Sequence, residues 1–328
     1  MINKLILEVR NLSKFFPIKE GIIQRTRHYV RAVDDVSLDI RENETLGLVG
    51  ESSSGKSTLG RAIMRLVEPD QGSVKFMGQE LIGLSFRKMK KVRQGIQMIF
   101  QDPLDSLNSR FTVEEIITEP LVINKIGNHK ERFARAERLM DVVGLQKDGI
   151  HRYPHEFSGG QRQRIGIARA LALSPKLIIA DEPVSALDVS IQAQVINLMR
   201  DLQDEMNISY LFISHDLHVI HHVSNWLAVM YLGKIVEMGA SDIIYKSPKH
   251  PYTEALLASV PKPRPDAKQE FKAIEGEIPS PINPPPGCHF HPRCPYMIKD
   301  CRQVPPVLKS SADNEEHLLS CHIRNKYH

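Results

Sequence analysis

The sequence has few cysteines and little net charge, and each of these features bears on which classes of protein are possible. Only four of its 328 residues are cysteine, all after residue 287, which disfavours a secreted disulfide scaffold. Cysteines gathered in one region favour a local metal or cluster site in a reducing compartment instead. The 43 basic and 39 acidic side chains leave a net charge of +4, which does not by itself indicate nucleic acid.

Long apolar runs are also missing. No stretch of about 18 apolar residues occurs, so no membrane-spanning helix is predicted. Glu8 and Arg10 interrupt the apolar start of the chain too soon for a signal peptide. We therefore expect a soluble, cytoplasmic chain that reaches a membrane only by docking onto other, membrane-embedded proteins.

Proline divides the chain into two parts. Fourteen of the 21 prolines lie from Pro248 onward, whereas the first 240 residues alternate between strand and helix patterns. Apolar, β-rich runs at residues 45–49, 97–100, 177–180 and 208–213 predict an α/β layered domain. We place the boundary within residues 245–265, which gives a first domain over residues 1–260 and a C-terminal extension over 261–328. Prolines at 261–265 and 284–286 predict an extended connector rather than regular elements.

The middle of the first domain has a helical pattern. Residues 103–158 contain no comparable strand pattern, and Phe133, Ala136 and Met140 recur at helical spacing. Gly144 follows as a predicted helix end. The sequence therefore predicts a helical insertion over about residues 103–165.

A phosphate-binding loop follows the first buried strand. The stretch from Gly50 to Ser57 reads G-x-x-x-x-G-K-[ST], with a strand before it and Leu59, Ala62, Ile63 and Leu66 at helical spacing after it. The backbone of such a loop wraps a phosphate, Lys56 supplies a positive charge, and Ser57 offers an oxygen ligand to Mg²⁺. The predicted phosphate-binding residues are Gly50, Glu51, Ser52, Ser53, Ser54, Gly55, Lys56, Ser57 and Thr58.

Two adjacent carboxylates end another predicted strand. Asp181 and Glu182 follow Leu177-Ile178-Ile179-Ala180, at the edge where doubly wound sheets place ligands. Adjacent strand residues face opposite sides, so the two carboxylates cannot do the same work. We assign Asp181 to Mg²⁺, and Glu182 to orienting and deprotonating the attacking water.

A second glycine-rich helix start reveals a family. The segment Phe157-Ser158-Gly159-Gly160-Gln161-Arg162 closely resembles the signature of ATP-binding cassette (ABC) proteins, and it lacks a lysine of its own. The remaining family motifs follow the expected order. The resemblance implies that this segment closes on ATP held by a partner cassette, so that two ATP molecules lie between two cassettes.

The resemblance also assigns single residues. It implies that Gln101 ligates or senses Mg²⁺ and the attacking water, that Asp188 helps to cross the dimer interface, and that His215 contacts the γ-phosphate. By motif position Phe16 stacks on adenine, with Tyr29 as the alternative because residues 18–28 resemble an insertion. Ser53 departs from the family, where glycine is common. Its side chain is expected to matter if that position requires a positive φ.

Further motifs indicate one branch of the family. Tyr153-Pro154-His155-Glu156, His250-Pro251-Tyr252-Thr253 and Pro284-Pro285-Pro286-Gly287-Cys288 resemble the ATPases of dipeptide and oligopeptide permeases, most closely the second ATPase subunit of the dipeptide permease. This resemblance implies an ATPase subunit of a bacterial importer for dipeptides or short oligopeptides, on the cytoplasmic face of the inner membrane. The implied partners are a sister ATPase, two permeases and, indirectly, a substrate-binding protein, without nucleic acid.

The four cysteines form a loose pattern of their own. Cys288, Cys294, Cys301 and Cys321 are spaced C-x5-C-x6-C-x19-C, too irregular for a zinc finger but sufficient for four thiolate ligands. The family resemblance implies a [4Fe–4S] cluster. Zinc bound by some of these cysteines and nearby histidines is the first alternative, and four free thiols without a metal is the second.

Two other functions compete with import. A soluble ABC protein that acts on nucleic acid or ribosomes normally has either a long insertion or two cassettes, but only 102 positions separate Lys56 from Ser158. A cassette that binds ATP without hydrolysing it is disfavoured because the set Lys56, Gln101, Asp181, Glu182 and His215 is complete. The basic run at residues 87–91 is interpreted as a solvated helix face.

Overall fold

A computed structural model describes residues 4–20, 25–102, 106–259, 276–311 and 313–324. The chain forms two compact units. The first consists of residues 1–6, 40–44 and 83–213, and the second of residues 7–39, 45–82 and 214–328. The predicted connector at residues 261–265 and the predicted start of the helical insertion at Pro103 lie outside the described residues.

The elements are numbered in chain order. The strands are β1 (Leu5–Glu20), β2 (Arg25–Arg41), β3 (Thr45–Val49), β4 (Gln71–Phe76), β5 (Gln79–Glu80), β6 (Ile96–Ile99), β7 (Leu177–Asp181), β8 (Ser209–Ser214), β9 (Trp226–Tyr231), β10 (Lys234–Ala240), β11 (Lys309–Ser311) and β12 (Asn314–Leu319). The helices are α1 (Lys56–Ile63), α2 (Phe86–Gly95), α3 (Val113–Ile123), α4 (His129–Val142), α5 (Gly159–Leu171), α6 (Val189–Met206), α7 (Leu217–Val223), α8 (Ser241–Lys246) and α9 (Pro251–Ala258). Short 3₁₀ turns lie at Lys147–Gly149, Pro154–Glu156, His291–Arg293 and Lys299–Arg302.

The first unit combines three parallel strands with helices. β6 pairs with β7 and β7 with β8, each in parallel register. All five side chains of β7 are buried, as expected of a parallel strand covered on both faces. α3 and α4 lie within residues 103–165, where the sequence predicts a helical insertion, and they pack on each other and on α5. Residue 165, the predicted end of that region, lies inside α5.

The helices of the first unit begin and end at local signals. Thr112, Asn128 and Ser158 each accept a hydrogen bond from the backbone N–H three residues later, and a Glu or Gln side chain there bonds back. Gly144 follows α4 with a φ of 70°, a left-handed conformation that suits glycine. The predicted helix end is therefore confirmed. Arg87, Lys88, Lys90 and Lys91 are exposed on α2, which confirms the solvated face.

The second unit contains antiparallel strands around the first buried strand. β2, β1, β4 and β5 form one sheet in that order. β11, β12, β10, β9 and β3 are also successive neighbours, and only the β3–β9 pair among these is parallel. The C-terminal strands β11 and β12 thus extend the sheet beside β10. Regular structure in this proline-rich part was not predicted from its composition.

The predicted strands agree with the structure to within one or two residues. β3 has the predicted bounds, and β6, β7 and β8 are shifted by at most one residue at each end. The prediction that Leu66 continues the helix after the phosphate loop is wrong. α1 ends at Ile63, Arg65 takes a left-handed φ of 50°, and Leu66 N–H bonds back to Arg61 O at 2.9 Å. Arg65 N–H also bonds to Ala62 O at 3.0 Å, and the two bonds close the helix in a Schellman turn that leaves Leu66 45% exposed.

Candidate nucleotide-binding site

The predicted phosphate loop connects β3 to α1, and its glycines are required by close backbone contacts. A Cβ on Gly50 would lie 2.1 Å from Met230 O, and one on Gly55 would lie 1.9 Å from Ala32 O. Gly55 also has a φ of 106°, which L-residues rarely adopt. The loop therefore packs closely against other backbone segments of its own unit. α1 begins at the end of the loop.

Lys56 fills the interior of this loop. Its side chain is buried, and its Nζ donates to Gly50 O at 2.7 Å and to Glu51 O at 2.9 Å. The ammonium group therefore lies inside the loop that would surround a phosphate. Of the other predicted members, Ser54 is buried, Ser57 and Thr58 are half-buried, and Ser52 and Ser53 are exposed.

Ser53 has the backbone conformation that the sequence analysis singled out. Its φ is 66°, in the left-handed region where glycine is favoured. Its side chain is exposed, so the position is strained by its backbone rather than by neighbouring atoms.

The two predicted carboxylates take different conformations at the end of β7. Asp181 is the last residue of the strand and is 1% exposed. Glu182 leaves the strand with a φ of 49°, donates its N–H to Ile213 O at 2.9 Å and is half-buried. Gln101 Nε2 donates to Glu182 Oε2 at 3.1 Å, so the structure brings these two predicted residues together. A carboxylate held by an amide donor can accept a proton from a water molecule beside it.

The glycine-rich signature forms the start of α5. Ser158 is the N-cap residue, and its reciprocal hydrogen bonds with Gln161 are 2.9 and 3.3 Å long. Gly159 is exposed, whereas Gly160 is buried where a Cβ would lie 2.4 Å from Ile191 Cγ2 on α6. Asp188 is exposed at the N-cap of α6. The exposed N-terminus of a helix can bind an anion from another molecule.

The remaining predicted nucleotide ligands lie at the surface. His215 is exposed directly after β8. Phe16 on β1 and Tyr29 on β2 are 37% and 53% exposed, so both rings are accessible for stacking. Lys14 Nζ lies 5.4 Å from the centre of the Phe16 ring. The structure leaves the choice between these two aromatic residues open.

Comparison with known proteins assigns the chain to a family. A family model described as "ABC transporter" matches residues 33–185, and one described as "Oligopeptide/dipeptide transporter, C-terminal region" matches residues 236–301. The oligopeptide transport ATP-binding protein AppF of Bacillus subtilis (strain 168) is 53% identical over 321 residues, covering 97% of each chain. The chain belongs to the ATP-binding proteins of oligopeptide and dipeptide ABC transporters.

Further relatives agree with this assignment. The oligopeptide transport ATP-binding protein OppF of Salmonella typhimurium (strain LT2) is 52% identical over 324 residues, covering 97% of this chain and 96% of that protein. The dimeric ATP-binding cassette MJ0796, bound to ADP and Pi, has a TM-score of 0.63 at 27% identity, over 72% of this chain and 98% of its own. CbiO1 from Clostridium perfringens has a TM-score of 0.64 at 24% identity, which supports the fold alone.

The predicted ABC fold and ATPase class are thereby confirmed. The matches favour the transporter over an ABC protein that acts on nucleic acid. Among the residues that the structure describes, no helix is both long enough and apolar enough to cross a membrane.

The four cysteines of this ABC subunit lie in the second unit as free thiols. Cys301 and Cys321 are buried, and Cys288 and Cys294 are half-buried. Cys288 N–H donates to Cys301 O at 2.8 Å. Burial raises the pKa of Cys288 to about 12 and that of Cys294 to about 11, and the negative charge that Cys301 and Cys321 would carry adds to both shifts. Four free thiols suit a thiolate-bound group in kind and number.

The arrangement itself is not that of a formed metal site. Within the described residues, no three His, Cys, Asp or Glu side chains are placed as ligands of one ion. The iron–sulfur cluster therefore stays a prediction.

Sequence reasoning missed two residues that contact the phosphate loop. Arg293 forms an ion pair with Glu51, and Tyr252 Oη accepts a hydrogen bond from Glu51 N–H. Tyr252 belongs to the His-Pro-Tyr-Thr motif, which indicated the family but to which the sequence assigned no function. For Arg293 the only sequence signal is its place beside Cys294, which gives no indication of a partner 242 positions away.

Proposed function

We propose that this chain hydrolyses ATP to power the import of oligopeptides or dipeptides by a bacterial ABC transporter. The observation that carries this proposal is the match to AppF and OppF, both named oligopeptide transport ATP-binding proteins, over 97% of the chain. The match spans both the predicted cassette over residues 1–260 and the extension over 261–328. The loop around Lys56 and the Gln101–Glu182 pair supply residue types that ATP hydrolysis requires.

In the proposed mechanism the phosphate loop binds the triphosphate through its backbone N–H groups and Lys56. Lys56 exchanges its carbonyl partners Gly50 O and Glu51 O for phosphate oxygens. Ser57 and Asp181 would hold Mg²⁺, with Gln101 as a further ligand or sensor, and the ion would neutralise charge on the phosphates. Either Phe16 or Tyr29 stacks on the adenine.

Glu182 acts as the general base in this proposal. Gln101 donates to Glu182 Oε2, so the amide orients the carboxylate that receives the proton of the attacking water. His215 contacts the γ-phosphate. A second cassette contributes its own counterparts of Ser158, Gly159, Gly160, Gln161 and Asp188 to the same ATP molecule. The exposed start of α5 supports this assignment, as does the dimeric state named for MJ0796.

The proposed partners are a sister ATPase, two membrane permeases and, through them, a substrate-binding protein, with the complex on the cytoplasmic face of the inner membrane. Val122 and Ile123 at the end of α3 are 50% and 54% exposed, and Ile126, shortly after the helix, is 43% exposed. Apolar side chains gathered at one exposed helix end are typical of a protein-binding surface. This end of the helical region is the proposed contact for the permeases.

The hydrolytic assignment is tested by the substitution Glu182→Gln. The amide keeps the shape of the side chain but cannot accept a proton, so ATP should bind without turnover and hold two cassettes together. We expect ATPase activity to fall by at least 10²-fold, and size-exclusion chromatography with ATP to give a dimer-sized peak. Glu156→Gln, an exposed carboxylate beside the signature, is the matched control. Undiminished turnover in Glu182→Gln would remove the base role.

The transport assignment is tested by purifying the tagged full chain from native membranes in mild detergent. Two polytopic permeases and a second cassette should copurify, as identified by mass spectrometry. Ribosomes or nucleic acid without any membrane protein would overturn the importer assignment and leave the ATPase class intact.

We further propose that Cys288, Cys294, Cys301 and Cys321 hold a [4Fe–4S] cluster, which would add an electron-transfer or structural group to the extension. The support is their number, their free state and the 2.8 Å hydrogen bond from Cys288 N–H to Cys301 O. Protein purified without oxygen should be brown and contain about four irons per chain. Colourless protein that contains zinc would favour the alternative ligand, and colourless protein without metal would contradict both.

A further inference from the structure

Two side chains from the C-terminal part of the chain meet on Glu51, the residue after the first glycine of the phosphate loop. Arg293 Nη1 lies 2.7 Å from Glu51 Oε2, and Arg293 Nη2 lies 3.0 Å from Glu51 Oε1. This two-point geometry is the strongest form of an arginine–carboxylate pair. On the backbone of the same residue, Tyr252 Oη accepts the Glu51 N–H at 2.8 Å.

Both partners are fixed by a buried aromatic cluster. The rings of Tyr231, Tyr252 and Phe290 are 0–1% exposed, with centres 4.6, 5.3 and 5.4 Å apart. Arg293 lies over Tyr231, with 5.9 Å from its guanidinium carbon to the ring centre, and its side chain is 4% exposed. Packed side chains have little freedom to follow the loop. The hydrogen bonds to Glu51 therefore hold the loop in place rather than move with it.

Glu51 connects this support to the ligand end of the loop. Its carbonyl accepts a hydrogen bond from Lys56 Nζ, so a shift of the Glu51 peptide displaces the phosphate-binding ammonium. Its side chain carries a negative charge in a loop that has to receive a polyanion. Without a cation beside it, that charge would repel the phosphates.

We propose that Arg293 and Tyr252 are positioning residues of the nucleotide site. Arg293 neutralises and fixes the Glu51 carboxylate, Tyr252 fixes the Glu51 peptide, and neither needs to touch ATP. The inference rests on the proposed role of this loop in binding ATP. It assigns the C-terminal part of the chain a direct effect on nucleotide affinity.

The test is a calorimetric titration of the full-length chain with Mg–ADP, which contains a β-phosphate and avoids turnover. Arg293→Gln should raise the Kd about tenfold, because a half-buried carboxylate is left unpaired beside the phosphates. Arg293→Lys keeps the charge but not the two-point geometry, so its loss should be smaller. Arg324→Gln is the matched control, since it breaks a 2.8 Å ion pair with Glu254 on α9 instead of the loop. We expect no more than a twofold change there.

A double variant separates positioning from a general loss of structure. Glu51→Gln removes the repulsive charge, so Glu51→Gln/Arg293→Gln should bind Mg–ADP at least threefold more tightly than Arg293→Gln alone. Losses that simply multiply across the two substitutions would overturn the electrostatic role. Tyr252→Phe removes one hydroxyl from a packed ring and should raise the Kd about threefold, even if Arg293→Gln does not fold.

Lys56→Ala distinguishes failure of this inference from failure of the proposed site. If Lys56→Ala binds Mg–ADP as well as the unaltered chain does, the loop is not the phosphate site and the proposed function loses its binding residues. If Lys56→Ala loses binding while Arg293→Gln and Tyr252→Phe bind like the unaltered chain, the positioning role alone is wrong.

Discussion

The carboxylate of Glu237 on β10 binds three groups from the C-terminal part of the chain. Its removal should lower the free energy of unfolding. The side chain is 0% exposed and accepts three hydrogen bonds: from Lys249 N–H at 2.8 Å, from His250 N–H at 3.0 Å and from His317 Nε2 at 2.7 Å. The substitution Glu237→Ala removes the acceptor, so the three donors are left buried without a hydrogen-bond partner. Removing one member of such a network costs about 3–5 kcal/mol, so we expect a loss of about 4 kcal/mol in the free energy of unfolding.

Urea unfolding of the full chain provides the assay. Trp226 is the only tryptophan, and it pairs with Ala240 on the neighbouring strands β9 and β10, so its fluorescence reports on this sheet. Glu316→Gln, an exposed carboxylate on β12, is the control and should change the free energy of unfolding by less than about 0.5 kcal/mol. If Glu237→Ala changed the free energy of unfolding as little as the control does, the three hydrogen bonds would not be stabilising.

Two further predictions concern the buried His250 and Ser53, which stands where the family commonly has glycine. Burial lowers the pKa of His250 from 6.5 to about 4. As the pH falls, the imidazole is therefore protonated in the unfolded chain before it is protonated in the folded chain. As the pH is lowered from 6.5 to 4, the contribution of His250 to the free energy of unfolding should therefore fall by up to about 1.4 kcal/mol per pH unit. Denaturation at several pH values should show a smaller slope in His250→Gln but not in the exposed control His129→Gln. Ser53→Gly relieves a left-handed φ of 66° and should raise the melting temperature without raising the KM for ATP. A lower melting temperature would show that this φ is unstrained.

Local patterns predicted the cassette core because each is complete within a short stretch. A buried strand, two glycines and a lysine define the phosphate loop, and a serine with glutamine three residues later defines the start of α5. The structure adds backbone detail that such patterns leave open, such as the positive φ of Glu182. The end of α1 was placed too late because apolar spacing alone does not reveal that Arg65 turns left-handed.

The C-terminal part was predicted less completely. Its many prolines indicated an irregular segment, yet β11 and β12 form beside β10. Strand pairing at an edge depends on which neighbour is available, and composition does not contain that information. The irregular spacing of the cysteines likewise gave no geometry, whereas the structure joins Cys288 N–H to Cys301 O by a 2.8 Å hydrogen bond.

By itself the sequence determined the family, the ATPase class and the order of the nucleotide motifs, since each motif fixes the backbone of only a few consecutive residues. Tertiary structure alone decided that Glu51 is held by Arg293 and Tyr252, which lie 242 and 201 positions away. A hydrogen bond between distant residues depends on the packing of the whole unit, here on the aromatic cluster and the strands around β10. The support of the phosphate loop is therefore a property of the fold, while its phosphate-binding chemistry is encoded locally.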